Sequence, residues 1–233
     1  MDYQSEYYKI HTSFHGEDAL RKFCEISTVL SNYRPQKIVD LGCGGGYVSR
    51  LIYKKFKPVM MIALDVSEEA IKHAKDQDNN GRIEYVVGDA LKFRTNKVDL
   101  VIINDLIEHL SQPSLLLKNI KEYSSLIIIR VPLEKTFVNT IFRKLNIKNE
   151  YARLRKKYGH IYPFTEKEIT SLLNNSGWKI EYKKIFPIPK RSYLPFEIIR
   201  LSVYPLYYIF PSVAALLNGG FLVAKAKAEI KKN

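Results

Sequence analysis

Apolar residues along this chain fall into two rhythms. Short unbroken runs, within KIVDLG (37–42), VMMIALDV (59–66), RIEYVVGDA (82–90), KVDLVIINDLIEHL (97–110) and SSLIIIRVP (124–132), end at glycine, acid, asparagine or proline. Such runs predict buried strands. Between them the spacing turns helical. In residues 17–33, Leu20, Phe23, Ile26, Val29 and Leu30 recur at helical intervals ahead of Pro35. YVSRLIYKKF, SEEAIKHAKD and PSLLLKNIKEY predict further helices, the second opening on Ser67 as cap. TEKEITSLLNNSGW adds another, with Thr165 and Glu168 as a capping box and Gly177 as its stop. KIEYKKIFPIP and GFLVAKAKA predict two last strands. Continuous apolar strands alternating with helices imply an α/β protein whose parallel sheet is covered on both faces.

Two segments break the alternation. Residues 133–163 are basic and aromatic with no strand pattern, and residues 190–218 are rich in Tyr, Pro, Leu and Ile. With no repeat, low-complexity tract or linker, the chain reads as one domain over 1–233 carrying these two insertions.

Charge sharpens that division. Residues 1–129 hold 17 basic and 17 acidic groups, whereas residues 130–233 hold 20 basic and 7 acidic, so the whole net charge of +13 lies in the second part. A basic half suits an anionic partner: phosphate, nucleic acid or an anionic membrane surface. The two cysteines, Cys24 and Cys43, make no disulfide framework, and the first twenty residues lack a signal-peptide pattern. Both features point to a cytoplasmic setting.

Gly42, Gly44, Gly45 and Gly46 crowd the turn from the first strand to the next helix. Glycine there lets a ligand approach the main chain, and the following helix offers free N–H groups. In an open sheet, ligands bind beyond the carboxyl ends of the strands. Tyr47 and Val48 stand where a phosphate-cradling loop needs Lys and Ser or Thr, and the dinucleotide spacing of glycines is not met. The pattern present is D-x-G-x-G-x-G, Asp40 to Gly46.

That motif resembles the first motif of the class I S-adenosylmethionine-dependent methyltransferases. Asp65 at the second strand's end, VGDA at 87–90, NDLIEHL at 104–110 and GHIYPFTEKEITSLLNNSGWKI follow in the order of that family's small-molecule branch. The resemblance implies a Rossmann-like, doubly wound, seven-stranded sheet, mostly parallel with an antiparallel last strand. It implies S-adenosyl-L-methionine as cofactor. Asp40, Gly42, Cys43, Gly44, Gly46, Asp65, Val66, Asp89, Ala90 and Asn104 would hold it, with Asp65 on the ribose hydroxyls and Asp89 near the adenine. His109 and His160 are the candidate bases or substrate contacts, His160 with Tyr158 beside it. Each also has a plainer reading, as a core or loop-orienting histidine. Asp105, Glu108 and His109 at i, i+3, i+4 would share a helical face able to hold a divalent metal. The expectation is nonetheless that no metal is held.

Methyl transfer to a small or lipid-linked acceptor, at oxygen, is the reaction this implies. An RNA methyltransferase and a non-catalytic scaffold at a membrane surface are the alternatives. No RNA-binding module is recognisable, and NDLI stands where nucleobase methylators carry N-P-P-Y, so nucleic acid is the less expected partner. Leu201–Asn218 is an uncharged run of 18 residues interrupted by Pro205 and Pro211. It reads either as an interfacial segment touching a membrane or as aromatics capping the core over an apolar pocket.

Overall fold

The protein is described here by a computed structural model covering residues 16–30, 33–79, 81–144, 146, 150–190 and 194–229. Lys148 of the basic segment lies outside these residues. The apolar runs become strands β1 (Lys37–Leu41), β2 (Met60–Asp65), β3 (Glu84–Val87), β4 (Leu100–Asn104) and β5 (Leu126–Leu133), followed by β6 (Trp178–Phe186) and β7 (Gly220–Ala228). They form one seven-stranded sheet in the order β3-β2-β1-β4-β5-β7-β6. Neighbours from β3 to β5 pair in parallel, and β7 runs antiparallel to β5 and β6. This is the doubly wound architecture that the alternation and the resemblance implied.

Side-chain alternation explains why both faces are covered. Along β1 and β2, Val39, Leu41, Ile62 and Leu64 join one apolar cluster, while Ile38, Met61 and Ala63 join the other. Successive strand residues point to opposite faces, so a wholly apolar strand must be roofed twice. Helices α1 (Ala19–Val29), α2 (Tyr47–Phe56) and α3 (Glu68–Asp76) close one face through Ile26, Ile52 and Ile71. Helix α4 (Pro113–Ile120) and helix α7 (Glu166–Asn175) close the other through Leu116, Leu117, Ile169 and Leu173. Trp178 is fully buried on that side, its indole N–H donating 2.8 Å to the Leu117 carbonyl.

The local signals read from the sequence are met by local geometry. The Ser67 side chain accepts the Ala70 N–H at the start of α3, and Thr165 and Glu168 form the reciprocal capping box of α7. Gly177 takes the left-handed conformation just past that helix. Helix α1 ends at Val29, short of the expected boundary at Pro35, and Leu20 is exposed rather than buried.

The two irregular segments are helical. Residues 133–163 hold α5 (Phe137–Lys144) and α6 (Glu150–Tyr158), and residues 190–218 hold α8 (Leu194–Val203), α9 (Leu206–Ile209) and α10 (Pro211–Asn218). Pro205 caps α9 and Pro211 opens α10, so the prolines divide the uncharged run into separate short helices. Among the described residues, no helix is long and apolar enough to cross a membrane. Both segments leave from the carboxyl ends of β5 and β6, and β7 starts at that same edge, with Gly220 opposite Leu133 and Phe221 opposite Phe186. The insertions therefore stand at the sheet edge where the glycine turn lies.

Candidate active site

The glycine turn is held open by its own backbone and by one carboxylate. The N–H groups of Gly42 and Cys43 both donate to the Leu64 carbonyl, at 2.8 and 3.0 Å, which fixes the turn across β2. Gly42 and Gly46 adopt φ of 77° and 71°. A Cβ on Gly42 would lie 3.0 Å from the Leu106 side chain, and one on Gly46 would lie 2.8 Å from Tyr85 and 2.9 Å from Ala74. A left-handed backbone against close neighbours leaves glycine as the fitting residue. Arg50 Nη1 braces the turn from behind by donating to the Gly45 carbonyl at 3.1 Å.

Asp65 closes onto this turn. Its Oδ2 accepts the Gly44 N–H at 2.8 Å and its Oδ1 accepts the Ser67 N–H at 3.0 Å. A carboxylate has about four acceptor positions, a chemistry suited to ligand hydroxyls. Beneath the turn, Asp40 is buried; the Ser49 hydroxyl donates to Oδ2 at 2.6 Å, and Oδ1 has no partner. Burial pushes the Asp40 carboxyl up to about 6; the Ser49 hydrogen bond opposes the shift and the Asp65 charge adds to it. Burial, with the Asp40 and Asp65 charges, also pushes the Cys43 thiol well up. At the end of β4, Asn104 Oδ1 is likewise buried without a partner.

Unpaired buried acceptors in a native fold call for a partner. Two of them flank a glycine turn bare of side chains at the carboxyl edge of the sheet, which fits a nucleoside cofactor with a charged amino-acid tail. Val66 and Val87 are exposed at the ends of β2 and β3, giving apolar surface beside Asp65. Asp89 follows β3. Its Oδ1 accepts the Leu91 N–H at 2.9 Å, so it closes the turn that buries Ala90.

The second half of the site assembles from distant sequence. A 3-10 turn, Ile107–His109, follows β4, and its Glu108 carbonyl accepts the N–H groups of Ile161 and Tyr162 at 2.8 and 3.2 Å. Those bonds carry His160 onto His109, ring centroids 4.8 Å apart and nearly perpendicular. His160 Nδ1 lies 2.7 Å from Glu134 Oε2, and the Tyr158 ring stands 5.6 Å away. Leu106, against Gly42, makes this segment border the glycine turn.

The sequence reading needs correction at Asp105. It does not share a helical face with Glu108 and His109: its φ is +50°, and its carboxylate pairs with Arg130 and, at 3.0 Å, with Lys22. Arg130 is fully buried, and its Nε also donates to Glu25 at 2.6 Å. Burial alone would raise Asp105, but the Arg130 and Lys22 charges outweigh it and hold the carboxyl well below the usual range. The third member of the cluster is instead His160, and donor atoms of Glu108, His109 and His160 lie within 4.8 Å of one another. Glu108 is fully buried with both carboxylate oxygens unpartnered; burial, then the Asp105 charge, pushes its carboxyl far up.

Glu134 and Arg130 escaped the sequence reading. Glu134 directly follows β5, the position from which a strand-end acid reaches the site, and that placement is the signal that could have found it. Arg130 sits inside an apolar strand, and a lone cation there signals a buried counter-charge.

The chain is also similar to known proteins. A family model described as a methyltransferase domain matches residues 15–183. Malonyl-[acyl-carrier protein] O-methyltransferase of Priestia megaterium is 28% identical over 137 residues, 58% of this chain and 48% of that protein. (S)-Coclaurine N-methyltransferase of Thalictrum flavum subsp. glaucum is 26% identical over 125 residues, 51% of this chain and 34% of that protein. The chain thus spans half or less of the length of these curated relatives. Among solved structures, the plantazolicin methyltransferase BamL in complex with a triazolic desmethylPZN analogue and SAH superposes with a TM-score of 0.56 at 18% identity, covering 97% of this chain and 90% of that one. With a family model matched over most of its length and the glycine turn in place, the chain belongs to the methyltransferase domain family.

Proposed function

We propose that the protein is an S-adenosyl-L-methionine-dependent methyltransferase acting on an oxygen of a small or lipid-linked acceptor. Asp40, Asn104, Asp65 and the main chain of Gly42, Cys43, Gly44 and Gly46 would hold the cofactor, with Val66, Asp89 and Ala90 toward its base. When bound, that cofactor supplies a methyl group already activated on a sulfonium. What remains for the protein is to align the acceptor, which is worth several kcal/mol, and to remove a proton from it.

The contact between His160 and Glu134 carries the oxygen assignment. Glu134 Oε2, 2.7 Å from His160 Nδ1, favours the tautomer that carries its proton there and leaves Nε2 to accept a hydroxyl proton. His109, edge-on to that ring, positions it or the acceptor. An amine acceptor is nucleophilic once neutral and needs such a base less. The relatives include both oxygen and nitrogen methylators, so the dyad decides between them in this reading. The insertions at 133–163 and 190–218 belong, on the same reading, to one working unit over 1–233 and shape its acceptor side. The two unpaired cysteines fit a reducing cytoplasm.

The test uses labelled cofactor and fractionated cell extract, asking whether label enters lipid, small molecules or RNA. For the acceptor found, His160→Gln should lower turnover about 100-fold or more, and Glu134→Gln about tenfold, with S-adenosylhomocysteine affinity unchanged. Normal turnover in both variants would remove the dyad. Absence of S-adenosylhomocysteine binding at millimolar ligand would reject the cofactor itself.

A further inference from the structure

The inserted helices present a surface that neither the cofactor turn nor the histidine pair uses. Ile198 and Leu201 lie on one face of α8, exposed by 59% and 55%. Ile209 and Phe210, at the end of α9, are exposed by 65% and 60%, and Val213 and Leu216 share an exposed face of α10. Helix α10 packs on α5, α8 and α9, so the helices that carry these side chains adjoin one another. No charged residue occurs from Leu201 to Asn218. In α8, Arg200 is paired with Glu197, at 2.6 Å. A soluble surface rarely exposes this many large apolar side chains on adjoining helices without a partner.

Cations stand beside these helices. Arg143 and Lys144 at the end of α5, and Arg155 and Lys156 in α6, are exposed, and α6 packs on α5. Apolar helices with cationic helices beside them complement an anionic bilayer: aliphatic groups enter the acyl boundary while Lys and Arg meet headgroup phosphates. Tyr204 and Tyr208, hydroxyls 3.2 Å apart, add aromatic side chains of the kind that settle at that boundary. A second copy of the chain suits the surface poorly, since a two-fold contact would set the cationic helices against their own kind. Nucleic acid suits it poorly as well, because Ile, Leu and Val offer no stacking platform.

From this juxtaposition we infer that helices α8–α10 dock the protein on an anionic membrane surface. Because these helices stand at the carboxyl edge of the sheet, docking sets the acceptor side of the site at the bilayer and admits acceptors held there by a lipid tail. The inference deepens the lipid-linked form of the proposed function, although docking itself does not require catalysis.

The experiment is flotation of the purified full chain with vesicles of equimolar phosphatidylglycerol and phosphatidylcholine, and with phosphatidylcholine alone. The protein should float with the anionic vesicles and lose most of that binding in high salt. Ile209→Ser with Phe210→Ser should weaken flotation at least about tenfold, since two large exposed apolar groups no longer enter the acyl region. Arg155→Gln with Lys156→Gln should weaken it severalfold on anionic vesicles alone. Thermal melting and S-adenosylhomocysteine affinity, unchanged in both variants, show that the fold and the cofactor site are intact. No flotation with anionic vesicles overturns the inference, as does flotation indifferent to the Ile209 and Phe210 changes. A dimer that those changes dissociate, without vesicle binding, assigns the surface to self-association and overturns it too. Failure of the cofactor reading would register separately, as wild-type flotation without S-adenosylhomocysteine binding.

Discussion

Replacing Asp40 by asparagine isolates what the glycine turn's buried carboxylate does to the fold. Asp40 is 1% exposed, with one oxygen bonded to Ser49 and the other unpaired. Burial pushes its carboxyl from the ordinary 3.8 up to about 6. Between those pH values the unfolded chain has released the proton while the folded protein still holds it. Stability therefore falls as pH rises through that window and levels off above about 6. A shift of about two pH units corresponds to about 3 kcal/mol of penalty at neutral pH. Asparagine keeps an oxygen for the Ser49 hydroxyl and cannot ionise. Urea unfolding of the ligand-free protein at pH steps between 4 and 7.5 measures the difference between the two proteins, in which all other titrating groups cancel to first order. Asp40→Asn should match the parent or fall slightly below it near pH 4 and exceed it by about 2–3 kcal/mol at pH 7.5. The same change should weaken S-adenosylhomocysteine binding about tenfold, because a neutral amide attracts a ligand ammonium less. A stability difference that is the same at both ends of the pH range would refute the reasoning.

Gly46→Ala places a Cβ 2.8 Å from Tyr85 at a φ of 71°; loss of about 2–4 kcal/mol in denaturant unfolding, with abolished cofactor binding, is expected. Arg130→Met leaves buried Glu25 with only Arg21, and half-buried Asp105 with only Lys22, as counter-charges and should destabilise by about 2–3 kcal/mol, less than a wholly unpaired buried charge would; the further change Asp105→Asn should recover part of it in a double-mutant cycle. Because Arg130 holds the Asp105 carboxyl below its unfolded value, this contribution is present at neutral pH and is lost on acidification below the ordinary carboxylate range, so the parent and Arg130→Met unfolding curves should converge in acid. Treatment with a chelator should leave turnover unchanged; a loss restored by a divalent cation would instead make Glu108, His109 and His160 a metal site.

The sequence by itself determined the frame. Strand positions, the helices α2, α3 and α7, the Ser67 cap, the capping box and the glycine turn all rest on spacing, end chemistry and the steric freedom of glycine. These act between residues close in the chain, so they are legible there. The placement of Asp40, Asp65 and Asn104 at one edge follows from parallel strands whose ends coincide. The short helices within 133–163 and 190–218 were not legible, because basic residues crowd the first segment and near-continuous apolar residues broken by Pro205 and Pro211 fill the second, which blurs helical spacing. Only the tertiary structure decided which charges meet. Asp105 turns to an arginine on the next strand, His160 reaches Glu134 and His109 through backbone bonds from a later segment, and Glu108 is left buried and unpaired. Each of these outcomes depends on burial and on distances between residues far apart in sequence, which no local pattern encodes.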